Sequence, residues 1–435
     1  MNMDILTYPS EAADKQVTAI VDRGLEFGQE TYETVNRILA EVRREGDAAL
    51  IRYADRFDAP GMTVDSLKAT PEEFESAESE VSEAFRQSLN RAAEQIEAFH
   101  KRQLQKSWIT TDRPGVVLGQ MVHPVDAAGV YVPGGKGGDT PLVSSVLMGA
   151  IPARIAGVGR VVMATPPTPD GKVNPHLLAA AQRAGVDTVY KMGSAWAVAA
   201  LTYGTDTVSK CDVIVGPGNI YVTIAKKIVS GTVGIDMIAG PSEVLVIADD
   251  AAEPEFIAAD LLSQAEHDPL ASAVLLTDSR KIAEAVEKQV ESQLEHLHRS
   301  DIARESLKNY GAILVVEDID AAITLSNAVA PEHLELHIRE PFDHIGKIRN
   351  AGAVFMGSYT PEPVGDYIAG PNHVLPTAGT ARFSSALSVD NFIKKTSILH
   401  YSESAFRREA DDVIRLAEIE GLGAHANSIQ VRLKK

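Results

Sequence analysis

An α/β protein with two domains, each on a mainly parallel sheet, is what the sequence predicts, and three observations carry the prediction. Short β-branched runs alternate with helical patterns from about Met121 onward, and a second such series begins at EVLVIADD, residues 243–250. The 435 residues also exceed one small core, an ordinary domain taking roughly 150. Parallel strands need crossover helices, so this alternation reads as βαβ units.

Taken in order, the first hundred residues read mainly as helix, with residues 1–26 a helical arm. MNMDILTYPSEAAD carries neither the basic nor the apolar region of a secretory signal. TPEEFESAESEVSEAFRQSLNRAAEQIEAFH, residues 70–100, opens with a capping box from Thr70 to Glu73 and has Pro71 at the first helical position. Phe74, Ala77, Val81, Phe85, Leu89, Ala92, Ile96 and Phe99 then recur at helical spacing, which predicts one helix with a packed and a solvated face.

The first α/β series runs through the strand RVVMATPP, the helix HLLAAAQRAG, the strand DTVYKMG, the helix AWAVAALTYG and the strand CDVIVGPGN. The second follows EVLVIADD with a helix bearing Gln264 and His267, the strand SAVLLTD, the helix KIAEAVEKQVESQLEHL, and the strands AILVVED and GAVFMG. After about Thr380 a polar segment leads into the amphipathic helix SAFRREADDVIRLAEIE, ended by Gly421. A tail this small has no core of its own and must dock on something.

Charge narrows the function classes. Lys and Arg number 41 against 60 Asp and Glu, and the net charge of −19 argues against a non-specific binder of nucleic acid or anionic membrane. No apolar run approaches the ~20 residues of a membrane span, so a soluble protein is expected. A single cysteine, Cys211, permits no intrachain disulfide and fits a cytoplasmic location. KCDVIVGPG reads as a strand entrance, which makes Cys211 a small core residue.

Neither G-x-G-x-x-G after a strand nor G-x-x-x-x-G-K-[ST] occurs, so the dinucleotide fingerprint is absent and a P-loop is excluded. Two glycine turns remain: YVPGGKGGDTP, residues 131–141, and VGPGNIYVTIAKK, residues 215–227. Each precedes a helical pattern whose first N–H groups can meet a phosphate, although plain turns have the same composition.

Four segments concentrate chemistry. In LLSQAEHDPLA, residues 261–271, Gln264 and His267 are three apart and share a helix face. In PEHLELHI, residues 331–338, alternation after Glu332 puts His333, Glu335 and His337 on one side of a strand and Leu334, Leu336 and Ile338 on the other. VGDYIAGPNHVLPT, residues 364–377, is a Gly/Pro loop holding Asp366 and His373. EIEGLGAHANSI, residues 418–429, has Glu420 before a helix-ending glycine and His425 on the loop beyond.

A zinc-protease motif fails, because Leu334 follows His333 and the stretch from Gln264 to His267 is not H-x-x-E-H. Histidine, carboxylate and amide groups from distant segments suit zinc or a neighbouring divalent metal, and the remaining histidines suit general bases. Each group also has a plain reading as a helix end, a turn or a surface. A zinc hydrolase and a non-catalytic nucleotide-binding or scaffold protein therefore stay open at this point.

YVPGGK, VGPGNIYVT, AGPSEVLVIAD, DLLSQAEHDP, PEHLEL, GDYIAGPNHVLPT and EGLGAHANS, in this order, closely resemble the histidinol dehydrogenase family, from about residue 30 to about 433. The resemblance implies two incomplete Rossmann-like domains with a C-terminal dimerisation tail. The expected organisation is an arm at 1–26, a first domain from 27–108 and 243–380 with the metal and catalytic residues, an NAD-binding domain at 109–242, and a tail at 381–435.

The resemblance also implies one zinc per active site, held by Gln264, His267 and Asp366 of one subunit and by His425 reaching over from the other subunit of an intertwined homodimer. L-histidinol would bind that zinc through its imidazole and amino nitrogens, and Ser242, His373 and Glu420 would contact it, Glu420 also across the interface. His333 would take the hydroxyl proton while hydride leaves for NAD, and Glu332 would activate the water that attacks the bound aldehyde before a second transfer. Tyr131 and Asn219 match cofactor positions, Trp196 stands where many members have a glutamine that touches NAD, and the loop from Lys136 to Thr140 is longer. A same-fold enzyme for another small polar alcohol, such as a dihydroxypropane sulfonate, is the nearest alternative; Glu420 and His373 beside all four ligands favour histidinol.

Overall fold

The computed structural model describes residues 3–23, 28–134 and 140–434. They fall into two compact units, Met1–Gln103 with Val125–Phe392, and Leu104–Pro124 with Ile393–Lys435. No helix among the described residues is long and apolar enough to cross a membrane.

The larger unit holds two wholly parallel sheets, as the strand–helix alternation predicts. One has five strands in the order Thr188–Lys191, Arg160–Thr165, Ala127–Tyr131, Val213–Val215, Gly234–Ile235. Its strands are buried on both faces: Val161 and Met163 enter one core, Val162 and Ala164 the other. The second sheet has six strands in the order Ile5–Thr7, Gly311–Val315, Ser272–Thr277, Glu243–Ala248, His333–His337, Ala353–Met356. Here Val244 and Val246 face one core and Leu245 and Ile247 the other. Cys211 is a buried core residue packed close to Gly129, and burial pushes its thiol up to about 12.

Several expectations change at the level of packing. The arm is not purely helical, because Ile5–Thr7 adds an edge strand to the six-stranded sheet before the helix Glu11–Asp22. The helices Gln29–Glu45, Asp47–Phe57 and Glu83–His100 do not join the core of the six-stranded sheet. Val35, Ile38, Leu39, Val42 and Leu50 pack with Trp196 and Ile214 on one face of the five-stranded sheet, and Leu89, Ala93 and Ile96 pack on the other. Each such Val, Leu or Ile side chain contributes about 2 kcal/mol when fully buried. The helix expected across residues 70–100 is two, Pro71–Glu80 with its capping box and Glu83–His100. Val81 and Ser82 turn extended between them, and the Ser82 hydroxyl accepts the Phe85 N–H at 3.1 Å, so a second cap outcompetes helical continuity.

In the smaller unit Ile393–Tyr401 pairs antiparallel along its full length with Val116–Pro124, which also pairs with Trp108–Thr110. The tail thus gains a sheet partner from residues expected in the NAD-binding domain. The helices Glu403–Ile419 and Gly423–Leu433 follow, and Ser402, whose N–H donates to the Gly115 carbonyl, caps the first of them.

Candidate active site

The polar side of His333–His337 organises the site. Leu334 and Leu336 enter an apolar core, which leaves His333, Glu335 and His337 on the opposite side, as alternation predicts. The helix Pro254–Ala265 covers that side and presents Asp260 and Gln264, four residues apart. His337 Nε2 lies 3.3 Å from both Asp260 Oδ2 and Glu335 Oε2. Burial opposes its charge, but hydrogen bonds to these two carboxylates raise the imidazole to about 9. Glu335 accepts the backbone N–H of Glu362 at 2.9 Å, and the Gln264 amide nitrogen donates to both Glu362 oxygens at 2.6 and 3.1 Å. Asp260, Glu335 and His337 also satisfy the spacing of a metal site, but the imidazolium already supplies their cation.

Glu362 and Asp366 sit four apart on the helix Glu362–Tyr367, so Asp366 lies on a short helix rather than on the expected loop. His333, Glu362 and Asp366 have ligand atoms within 4.8 Å of one another, and His373 Nδ1 is 4.0 Å from Asp366 Oδ1. Burial, then the charges of Glu335 and Asp260, raises Glu362 to about 8; burial, then Glu362, raises Asp366 to about 7. Burial lowers His373 to about 4.

His333 Nδ1 donates to the Glu243 carbonyl at 2.9 Å, which fixes the tautomer and leaves the Nε2 lone pair directed inward. Nε2 is buried without a hydrogen-bond partner among the described residues, 3.9 Å from Glu362 Oε1. Burial lowers the His333 pKa, so the ring is a neutral base. Glu332 and Glu243 exchange backbone-to-carboxylate hydrogen bonds at 3.0 and 3.1 Å. Burial and the Glu243 charge hold Glu332 well above the ordinary carboxylate range. Arg23, whose side chain is 2% exposed, reaches Glu243 Oε1 at 2.9 Å, and half-buried Ser242 immediately precedes that residue.

His267 lies just beyond the helix rather than on it. The helix ends at Ala265 with Glu266 as its cap, and the His267 N–H folds back to the Gln264 carbonyl. His267 lines a cleft of about 850 Å³ together with Tyr131, Trp196 and Asn219, and burial lowers its pKa. The cleft walls follow the carboxyl ends of four strands of the five-stranded sheet: Tyr131 and Pro133, Pro166 and Pro167, Gly193 to Trp196, and Asn219 with Tyr221. Strand order reverses beside Ala127–Tyr131, the place where open parallel sheets take ligands. Asn219 caps the helix Ile220–Val229, and the Tyr131 hydroxyl accepts the Ser194 N–H at 3.0 Å. Apart from Thr140, the loop from Lys136 to Thr140 lies outside the described residues.

Glu420 and His425 belong to the smaller unit, where both are exposed. Glu420 ends the helix Glu403–Ile419, and His425 lies in the first turn of Gly423–Leu433 instead of on a loop, because Leu422 starts a new helix directly after Gly421.

Known proteins resemble this chain in sequence and in fold. The family model described as histidinol dehydrogenase matches residues 22–433. The chain belongs to the histidinol dehydrogenase family. It is 56% identical over 400 residues to the histidinol dehydrogenase of Desulfotalea psychrophila, covering 92% of each chain. It is 54% identical to that of Geobacter metallireducens, over 97% of this chain and 96% of the relative. The crystal structure of histidinol dehydrogenase from Elizabethkingia anophelis superposes with a TM-score of 0.92 at 39% identity, covering 99% of this chain and 98% of that one. The chain is accordingly an oxidoreductase of histidine biosynthesis, as the seven sequence segments imply. Reasoning from the sequence did not single out Arg23, Glu243, Asp260 or Glu362. Spacing of four was the available signal for two of them, Asp260 with Gln264 and Glu362 with Asp366.

Proposed function

We propose that this chain oxidises L-histidinol through bound L-histidinal to L-histidine with two NAD, using one zinc per subunit. The observation that carries the reading is the buried, unpartnered Nε2 of His333 facing Glu362 and Asp366 beside Glu332. Four acidic groups, Glu243, Glu332, Glu362 and Asp366, are all raised by burial, and among the described residues only Glu243 has a Lys or Arg beside it, Arg23. Buried carboxyls that lack a cation to ionise against, with amide and imidazole ligands nearby, fit a divalent metal. Gln264, His267 and Asp366, with His425 of the partner subunit, would hold zinc, which supplies orientation and polarisation of the substrate. Tyr131, Trp196 and Asn219 would hold NAD in the cleft, where it would supply the hydride acceptor for each oxidation.

His333 Nε2 takes the hydroxyl proton as the alcohol carbon gives up its hydride, and the hydrogen bond to the Glu243 carbonyl keeps the ring aimed. Glu332 removes a proton from the water that adds to the aldehyde, its proton affinity being raised toward the value a base needs near neutral pH. Ser242 and His373, with the partner's Glu420, orient the substrate. A homodimer is the setting, and a cytoplasmic enzyme fits the lone buried cysteine.

The test is NADH counted per histidinol consumed by zinc-loaded protein. Two NADH with histidine as product are expected, and Glu332→Gln should stop after one. Two NADH from Glu332→Gln would refute the role given to Glu332, and no NADH from the native chain would refute the substrate.

A further inference from the structure

We infer that Asp58 reads the ribose of the dinucleotide in the cleft and excludes dinucleotides phosphorylated on the 2′-hydroxyl. The inference rests on the proposal that this cleft binds NAD. Asp58 caps the helix Asp47–Phe57 and lines the cleft. Its Oδ2 accepts the Gly193 N–H at 3.1 Å and the Trp196 Nε1–H at 2.9 Å. Its Oδ1 makes no hydrogen bond to the described residues. A Cβ at Gly193 would come within 2.8 Å of Oδ1, so glycine there is what lets the carboxylate sit against the cleft wall.

Three further observations give this carboxylate a ligand-facing role. Trp196 donates its indole N–H to Asp58 and packs against the rings of Tyr53 and Phe57, so its ring nitrogen is already engaged. The polar handle on this wall of the cleft is therefore Asp58, not Trp196. No lysine or arginine is among the described lining residues, and the other charged carboxylate there is Asp268. A ribose diol supplies two hydroxyl donors to an anionic acceptor, whereas a 2′-phosphate brings a second anion with no counter-charge. Burial without a cation already raises Asp58 to about 6. An added phosphate would meet that same uncompensated field.

The test measures dissociation constants for NADH and NADPH by quenching of tryptophan fluorescence, without histidinol. Trp108→Phe leaves Trp196 as the sole reporter, since the chain has 2 tryptophans. Native protein should prefer NADH strongly. Asp58→Asn keeps an acceptor for both N–H groups but removes the charge, and should narrow the preference roughly tenfold or more, chiefly through tighter NADPH. Asp58→Glu, which keeps the charge, should retain a clear preference. A ratio unchanged in a folded Asp58→Asn protein would overturn the inference, because a purely structural Asp58 predicts that result. Should Asp58→Asn fail to fold, the native protein still decides: NADPH binding should gain on NADH binding as salt rises from about 20 to about 500 mM, by screening of the repulsion. A salt-independent ratio would overturn the inference. Absence of binding by either dinucleotide would overturn the NAD reading beneath it.

Discussion

Replacing His337 with leucine removes the one cation between Asp260 and Glu335 at the back of the site. A free imidazole titrates near 6.5, and in the fold it is raised to about 9. That difference corresponds to about 3 kcal/mol of stability. Because the folded value is the higher one, the contribution is complete below pH 6.5, mostly present at about pH 7, and lost as pH rises through about 9. His337→Leu should thus be less stable than the native chain by about 3 kcal/mol at about pH 7, the order expected when one partner of a buried ion pair is removed. At about pH 10 the two proteins should differ little. Denaturant unfolding followed by circular dichroism at both pH values measures this. A gap that persists undiminished at the higher pH would refute the imidazolium as the source of the effect. The variant should also bind zinc more weakly, because Glu335 holds the first N–H of the helix that carries Asp366.

Arg23→Gln leaves Glu243 without its cation, so Glu332 should become harder to ionise and the acid limb of the kcat profile should move to higher pH. An unshifted profile in folded protein would count against coupling through Glu243. Gly216→Ala drives a Cβ into the Tyr131 carbonyl at a φ of +114°, and should cost more than the strained φ alone, about 1–3 kcal/mol, and weaken NADH binding, read by unfolding and fluorescence. Mixing His425→Ala subunits with His333→Asn subunits should regenerate some active sites if His425 works across the interface. Verified heterodimers with no recovered activity would exclude that arrangement.

Local pattern made most of the elements legible. The two strand–helix series, the Thr70 capping box and the two-sided strand at His333 all appear where short-range chemistry puts them. What stayed hidden depends on partners distant in sequence. Nothing near Leu89 or Ile96 says which sheet they cover, and nothing near Ile393 announces pairing with Pro124. Helix limits were misjudged where one polar residue decides them, as at Ser82 and at Glu266 before His267. In the candidate site, motif segments supplied the residues expected to touch metal and substrate. Of the groups that orient them, Asp260 shows only its spacing of four from Gln264, and Arg23 and Glu243 are single residues whose pairing no local pattern announces.

The pairing of Ile5–Thr7 with Gly311–Val315, and of Arg23 with Glu243, has a consequence for how the chain is made. At about 5–20 residues per second, roughly a quarter of a minute to a minute separates synthesis of the first strand from that of its neighbour. Meanwhile the five-stranded sheet, contiguous within residues 127–235, can assemble on the ribosome. The nascent polypeptide can therefore complete the five-stranded sheet first, while the strand Ile5–Thr7 waits for its partner. Catalytic competence arrives late in translation, after Ala378 has emerged to donate its N–H to Glu243.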